Sequence, residues 1–204
     1  LLAAGADVHA RDQNDETPLL RAHDNLAALP VLLAAGADLN ATNTLGWSAL
    51  HITCLNGHAD AARALLAHHA RLDLRDDNGY DALMAAAECG HLELVDLLLA
   101  HGANIDAADK FGRTPLDLAI LRGSRQMAQL LLDHGASVTP LYVNSAAPLV
   151  EAARVGRPDL VDLLLARGAD PSFRDQDGMT AIMAATANGH GEVVDLLRRH
   201  GAKE

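Results

Sequence analysis

The sequence predicts an all-α solenoid, in which a helix-turn-helix unit recurs along the chain and β-hairpin-like loops join the units. Equivalent segments begin at intervals of 31, 33, 33, 33 and 33 residues, at Thr17, Ser48, Asp81, Thr114, Ala147 and Thr180. Glycines recur at fixed positions, and Ala and Leu dominate a chain that has only one Trp, two Tyr and two Phe. A period of this length indicates copies that bury their apolar faces against one another.

Each unit carries signals for the start and end of two helices. Thr17-Pro18 and Thr114-Pro115 place a capping hydroxyl directly before a proline at the first helical position. A short Ala-rich helix follows, and a glycine ends it at Gly90, Gly123, Gly156 and Gly189. The second helix carries an apolar stripe and ends at Gly102, Gly135, Gly168 and Gly201.

The period divides the chain into a single array over residues 1–204. We expect a partial repeat at 1–11 and repeats at about 12–42, 43–75, 76–108, 109–141, 142–174 and 175–204. Arg198 stands where inner copies have leucine, which predicts a polar C-terminal cap. Leu1-Leu2 resemble the end of a second helix, so we expect further repeats upstream.

Three departures from the pattern predict local irregularities. Pro30 falls inside the second helix of the first full copy, which predicts a shortened or kinked helix. His69 replaces the terminal glycine of the second copy, so we expect that helix to end differently, because a left-handed non-glycine residue costs about 1 kcal/mol. The loop TPLYVNSAAPL, residues 139–149, lacks the Asp…Gly signature and should differ in shape from its neighbours.

Two segments show a resemblance to a known family. GYDALMAAAECGHLELVDLLLAHGANIDA (79–107) and GRTPLDLAILRGSRQMAQLLLDHGAS (112–137) resemble the ankyrin repeat, whose period of about 33 residues carries a T-P-L-H-x-A signature. His51 holds the histidine of that signature, and the resemblance extends over the whole chain. It implies a solenoid whose hairpin tips and first helices form a concave surface that grips partner proteins.

Charge and cysteine content exclude several classes of partner. The chain has 16 Lys and Arg against 27 Asp and Glu, a net charge of −11, which disfavours nucleic acid and anionic membranes. Cys54 and Cys89 form neither a metal motif nor a disulfide framework, which favours a reducing, cytoplasmic compartment. The abundance of Ala, Leu and Arg is typical of GC-rich genomes, including bacterial ones.

The sequence predicts no catalytic, cofactor or metal site. Most of the 11 histidines fall on repeat positions. His101, for example, falls where an imidazole can bond the last carbonyls of the second helix. No catalytic triad, phosphate loop or carboxylate pair stands out. Cys89 lies at an exposed position, where a reactive thiol and a bystander are both open. We therefore expect a protein that is not an enzyme.

All five aromatic residues fall in loops between repeats. Trp47 and Tyr80 occupy the same position of consecutive copies, and Phe111 lies at the next hairpin tip beside Arg113. Exposed aromatic residues are enriched in binding hot spots. Either these rings form a ladder along the binding surface, or each ring packs across its neighbouring loop.

The exposed ends of the first helices would complete this surface. The candidates there are Leu55, Asn56, Glu88, Cys89, Leu121, Arg122, Arg154, Val155, Ala187 and Asn188. Acidic residues lie in its N-terminal part, and Lys110, Arg113, Arg122 and Arg154 lie in its middle. This distribution predicts a partner with complementary charges in a fixed register.

We therefore expect a monomeric module that binds another protein, with no cofactor, nucleic acid or membrane as partner. The alternative is a regulatory or substrate-recruiting domain of a larger enzyme or of a secreted effector. A catalytic role for the chain itself is the weakest reading, since such repeats bury no deep pocket.

Overall fold

The computed structural model of the protein describes residues 5–23, 25, 27–140 and 147–203, which form two compact units, Leu1–Asn104 and Ile105–Glu204. Unit 1 contains α1 (Pro18–Arg21), α2 (Ala28–Ala34), α3 (Ala49–Asn56), α4 (Ala59–Ala67), α5 (Ala82–Cys89) and α6 (Leu92–Ala100). Unit 2 contains α7 (Pro115–Leu121), α8 (Arg125–Asp133), α9 (Pro148–Val155), α10 (Pro158–Ala166), α11 (Ala181–Ala187) and α12 (Gly191–Arg199).

The helices of each unit form two layers. In unit 1, α3 packs between α1 and α5, and α4 packs between α2 and α6. In unit 2, α9 packs between α7 and α11, and α10 packs between α8 and α12. Fully buried alanines such as Ala62, Ala86 and Ala152 allow this close approach.

The predicted all-α class is confirmed. The described residues form no strand, and one isolated antiparallel bridge joins Thr42 and Ser48. Within the same residues, no helix combines the length and apolarity needed to cross a bilayer.

Capping side chains start the first helices as the sequence predicts. Thr17 and Thr114 each accept a hydrogen bond from a backbone N–H of the first turn, and a proline follows each of them. Ser48 and Asp81 cap α3 and α5 in the same way. Ala147 precedes α9 without a side-chain cap. The predicted irregular shape of the loop before α9 stays a prediction, because residues 141–146, including Tyr142, lie outside the described residues.

Glycine is favoured between α3 and α4 by a left-handed backbone conformation and by a histidine of the next repeat that lies against it. Gly57 has φ +77°, and a Cβ atom there would lie 2.7 Å from Cε1 of His91. The imidazole Nε2 of His91 lies 3.2 Å from the carbonyl oxygen of Leu55. Since a carbonyl only accepts, Nε2 is the donor, and the ring ties its own repeat to the preceding first helix.

The predicted shortening of the second helix around Pro30 is confirmed. The helix α2 has 7 residues, whereas α4 and α6 have 9 each. It begins at Ala28, so Pro30 lies in the first turn, where a backbone N–H has no intrahelical partner to lose.

The prediction that His69 would change the end of its helix is wrong. His69 adopts φ 65°, the left-handed conformation that Gly102 adopts at the equivalent position with φ 88°. The N–H of Ala70 bonds to the carbonyl of Leu65 at 3.1 Å, as that of Ala103 bonds to Leu98 at 3.0 Å. The closing hydrogen bonds of the turn therefore outweigh the steric cost of a side chain at this φ.

Candidate partner-binding surface

The hairpin loop that carries Tyr80 is built on the carboxylate of Asp76. Its Oδ1 accepts the backbone N–H groups of Asn78 and Tyr80, both at 2.8 Å. The N–H of Gly79 bonds to the backbone oxygen of Asp76 at 2.9 Å. These bonds fix the half-buried Tyr80 directly before Asp81, the N-cap of α5.

Trp47 sits in an equivalent loop, which Asn43 holds by the same pattern. Asn43 Oδ1 accepts the N–H groups of Leu45 and Trp47, both at 3.0 Å. The half-buried indole donates its Nε1–H to Oδ2 of Asp76 at 3.2 Å. Asp76 therefore contacts Trp47 with one oxygen and holds the Tyr80 loop with the other, so Trp47 has a structural role.

The imidazole of His51 joins the Tyr80 loop to the preceding first helix, α3. Its Nε2 lies 3.1 Å from the carbonyl oxygen of Tyr80, which can only accept, so Nε2 carries the proton. Nδ1 then accepts from Ser48, whose backbone nitrogen is at 3.3 Å. Burial lowers the pKa of His51, which favours this neutral form. The signature histidine thus has a structural role.

Phe111 is the most exposed large apolar side chain among the described residues, at 62%. Its loop follows the same plan, because Oδ1 of Asp109 accepts the N–H groups of Phe111 and Arg113 at 2.8 and 2.9 Å. The guanidinium of Arg113 lies 5.0 Å from the centroid of the Phe111 ring, within cation–π range.

The aromatic candidates therefore occupy two different loop positions. Trp47 and Tyr80 directly precede their N-caps, a position that Arg113 holds in the next repeat. Phe111 stands two residues earlier, at the tip. The described contacts bring Trp47 and Tyr80 together in unit 1, and Phe111 belongs to unit 2.

The predicted first-helix ends differ in exposure. Leu121 and Val155 are exposed at 39% and 36%, as expected for a binding surface. Leu55 and Glu88 are half-buried rather than exposed, which corrects the expectation of solvent exposure at Leu55. The remaining exposed candidates are Asn56, Cys89, Arg122, Arg154, Ala187 and Asn188.

Buried carboxylates offset two of the four predicted basic residues. Arg113 forms a 2.7 Å ion pair with Asp109, whose side chain is fully buried. Arg154 binds Oε2 of the buried Glu151 through Nε at 3.1 Å and also through its terminal nitrogen. The middle of the predicted surface is therefore less basic than the sequence indicates.

Asp117 is a buried carboxyl group that the repeat pattern does not predict. Its Oδ2 accepts the N–H and hydroxyl of Thr114 at 2.8 and 2.9 Å. Its Oδ1 is buried and has no hydrogen-bond partner among the described residues. Burial, followed by the negative charges of Glu151 and Asp109, raises the pKa of Asp117 to about 6. The available signal was an aspartate at the position that Leu20, Met84 and Val150 occupy elsewhere.

The other side chains considered for chemical reactivity or metal binding are the two cysteines and the histidines. Burial raises the pKa of the Cys54 thiol to about 12, so it is inert at neutral pH. Cys89 is exposed and forms no disulfide with a described residue. The described residues contain no group of three side chains able to hold a metal ion. His101 bonds a carbonyl of the last turn of α6 through Nδ1 at 2.8 Å, as predicted for that position.

Comparisons with known proteins agree with this architecture. A family model described as ankyrin repeats (3 copies) matches residues 1–76, 21–109, 69–141 and 147–204. A search of curated proteins finds no match. Among solved structures, the chain is similar to the ankyrin repeat domain of Bcl-3, a unique member of the IkappaB protein family. The TM-score is 0.87 at 33% identity, covering 97% of this chain and 88% of that one.

Proposed function

The chain belongs to the ankyrin repeat family, and on that premise we propose that it binds a partner protein through its hairpin tips and first-helix ends. Ankyrin repeat domains are protein–protein interaction modules. For this chain, we propose both that a partner protein binds and that it contacts this surface.

One observation carries it. The described residues include seven exposed large apolar side chains, and six of them lie on loops or first helices: Leu45, Phe111, Leu121, Val155, Met179 and Met183. Only Val31 lies on a second helix. Exposed apolar groups concentrated on the loops and first helices are typical of a surface that a partner covers.

The proposal is tested by capture of partners from native lysate, followed by titration of the purified partner. Phe111→Ala and Leu121→Ala should each weaken binding about tenfold or more, the range of a hot-spot residue. Val31→Ala is the matched control, because this side chain is 56% exposed and lies outside the proposed surface. Equal affinities for all three variants would contradict the proposal.

Substitutions of Trp47 and Tyr80 need a measurement of stability in addition to the measurement of affinity. Because the Trp47 indole bonds to Asp76, its loss would disturb the loop as well as any contact with a partner. We therefore expect Trp47→Ala to reduce both thermal stability and affinity. Tyr80→Ala would remove the ring and leave the backbone carbonyl that His51 binds.

We also propose that the charges on this surface fix the register in which the partner binds. Reversal of Arg113 would leave the buried Asp109 without its ion pair, so it would test stability as well as binding. Arg122, exposed at the end of α7, provides an independent test. Arg122→Glu should slow association with an acidic partner segment and change its salt dependence, and an unchanged rate would reject the register.

We also propose that the protein acts as a monomer in a reducing, cytoplasmic compartment. Cys54 and Cys89 are not joined in a disulfide, which supports this proposal. Light scattering of the purified protein should give the mass of a monomer both with and without a reductant. A dimer that reductant dissociates would argue against both parts.

A further inference from the structure

Three asparagines of the chain are followed by glycine, at Asn56, Asn78 and Asn188. In such pairs the backbone nitrogen of the glycine can attack the side-chain Cγ of the asparagine. The attack needs a carboxamide that is free to turn, and it is fastest when the following residue has no side chain. It is one source of the thermal lability of asparagine.

The carboxamides of Asn56 and Asn188 are held in place. Nδ2 of Asn56 donates to the carbonyl of Ile52 at 2.8 Å, and Nδ2 of Asn188 donates to that of Ala184, also at 2.8 Å. Each side chain lies at the end of a first helix and would have to break its bond before Cγ could turn toward the glycine nitrogen.

The carboxamide of Asn78 is different. Asn78 is exposed at a hairpin tip, and its side chain has no hydrogen bond to any residue that the structure describes. The glycine nitrogens do not distinguish the sites, because each donates to a backbone oxygen: Gly57 to Thr53, Gly79 to Asp76 and Gly189 to Thr186. The freedom of the carboxamide therefore decides among the three.

We propose that Asn78 is a site of spontaneous deamidation that adds a negative charge to this hairpin tip, where Asp76 and Asp77 already lie. The nitrogen of Gly79 bonds to Cγ of Asn78 as the C–N bond of the carboxamide breaks, which releases ammonia and leaves a succinimide ring. Water then opens the ring at either carbonyl. One opening gives an aspartate in the original backbone, and the other gives an isoaspartate whose backbone runs through the former side chain.

The aspartate product fits the loop, because the chain already contains that loop. Asp177-Gly178 stands at the same position of the sixth repeat. The N–H of Asp177 bonds to Oδ1 of Asp175 at 3.0 Å, and that of Gly178 bonds to its backbone oxygen at 2.9 Å. The isoaspartate product adds a methylene group to the backbone and changes the spacing of the two N–H groups, those of Asn78 and Tyr80, that bind Oδ1 of Asp76.

The inference goes beyond partner binding and is tested without a partner. The full chain is incubated in mildly alkaline buffer at physiological temperature, and peptide mapping follows the mass increase from NH₂ to OH at each asparagine. Asn78 should react about tenfold faster than Asn56 and Asn188, because each of the latter must first lose a hydrogen bond. In concentrated urea the three rates should converge.

Two variants complete the test. Asn78→Gln should abolish the fast reaction, and Asn78→Asp should keep the circular dichroism spectrum and unfolding midpoint of the original chain. The proposal is overturned if Asn56 or Asn188 reacts as fast as Asn78 in the folded protein. It is equally overturned if the three rates differ as much in urea as in buffer.

Discussion

The imidazole Nε2 of His51 donates a hydrogen bond to the backbone oxygen of Tyr80, 3.1 Å away in the next repeat. Through this bond a buried side chain of one first helix holds the loop that starts the following one. The same ring accepts from Ser48, so one side chain completes its own helix cap and joins two repeats.

Loss of this bond should destabilise unit 1. His51→Leu would leave the Tyr80 oxygen and the Ser48 N–H without their partner, which should lower the free energy of unfolding by about 1–3 kcal/mol. Met84→Leu is the control at the equivalent position of the next repeat, where a swap of similar volume should cost less than about 1.5 kcal/mol. Urea denaturation measures both, and equal losses would show that the imidazole contributes only volume.

Asp117 should make the stability of unit 2 depend on pH. Its pKa is raised from 3.8 to about 6 in the folded protein, so the folded state binds more protons than the unfolded state between these values. Stability therefore falls as the pH rises through this window, by about 3 kcal/mol in total. Asp117→Asn removes the titration, so its stability relative to the original chain should rise from about pH 4 to about pH 6.

Asp133→Asn is the control for this pH dependence. Hydrogen bonds from Gln129 and Arg167 lower the pKa of this exposed carboxylate, so its contribution to stability has the opposite sign and is lost as the pH falls. A flat difference between Asp117→Asn and the original chain would mean that Asp117 titrates normally in the folded protein.

The left-handed residue at the end of α4 offers a stabilising substitution. His69→Gly should raise the free energy of unfolding by about 0.5–1 kcal/mol, because glycine adopts a positive φ without a Cβ clash. The reciprocal change Gly102→His, at the equivalent position of the next repeat, should lower it by about 1 kcal/mol. Thermal unfolding midpoints report both signs, and a loss of stability in His69→Gly would mean that the imidazole makes a compensating contact.

Two glycines with the same φ should differ in what a methyl group costs. Gly57 and Gly90 have φ +77° and +80°, but only at Gly57 does an added Cβ approach a ring, that of His91. Gly90→Ala should cost about 1 kcal/mol of conformational strain. Gly57→Ala should cost about 1 kcal/mol more, because the ring must leave the Leu55 carbonyl.

A double-mutant cycle isolates this contact. If the extra cost of Gly57→Ala comes from the displaced ring, it should disappear when His91 is already alanine. An unchanged cost in the His91→Ala background would assign it to the backbone alone.

The sequence predicted the features that depend on local chemistry. Thr114-Pro115 starts a helix because a hydroxyl cap and a fixed proline φ act within a few residues of each other. Pro30 shortens α2 for a similarly local reason, and the second-helix glycines end their helices as expected. The period identified the repeats because each copy solves the same packing problem.

The tertiary structure decided which side chains are buried or paired and whether a local energetic penalty is outweighed. His69 keeps the left-handed conformation because the hydrogen bonds that close the turn outweigh the small steric penalty of its side chain. A residue's conformational propensity alone does not predict this balance. Trp47 bonds to Asp76, and Arg113 and Arg154 pair with buried carboxylates. These aromatic and basic residues, which the sequence places on a binding surface, therefore also stabilise the fold. Trp47 and Asp76 lie 29 residues apart, so no local pattern encodes their contact. Arg113 and Arg154 pair with carboxylates four and three residues away, but the burial of those carboxylates depends on tertiary packing.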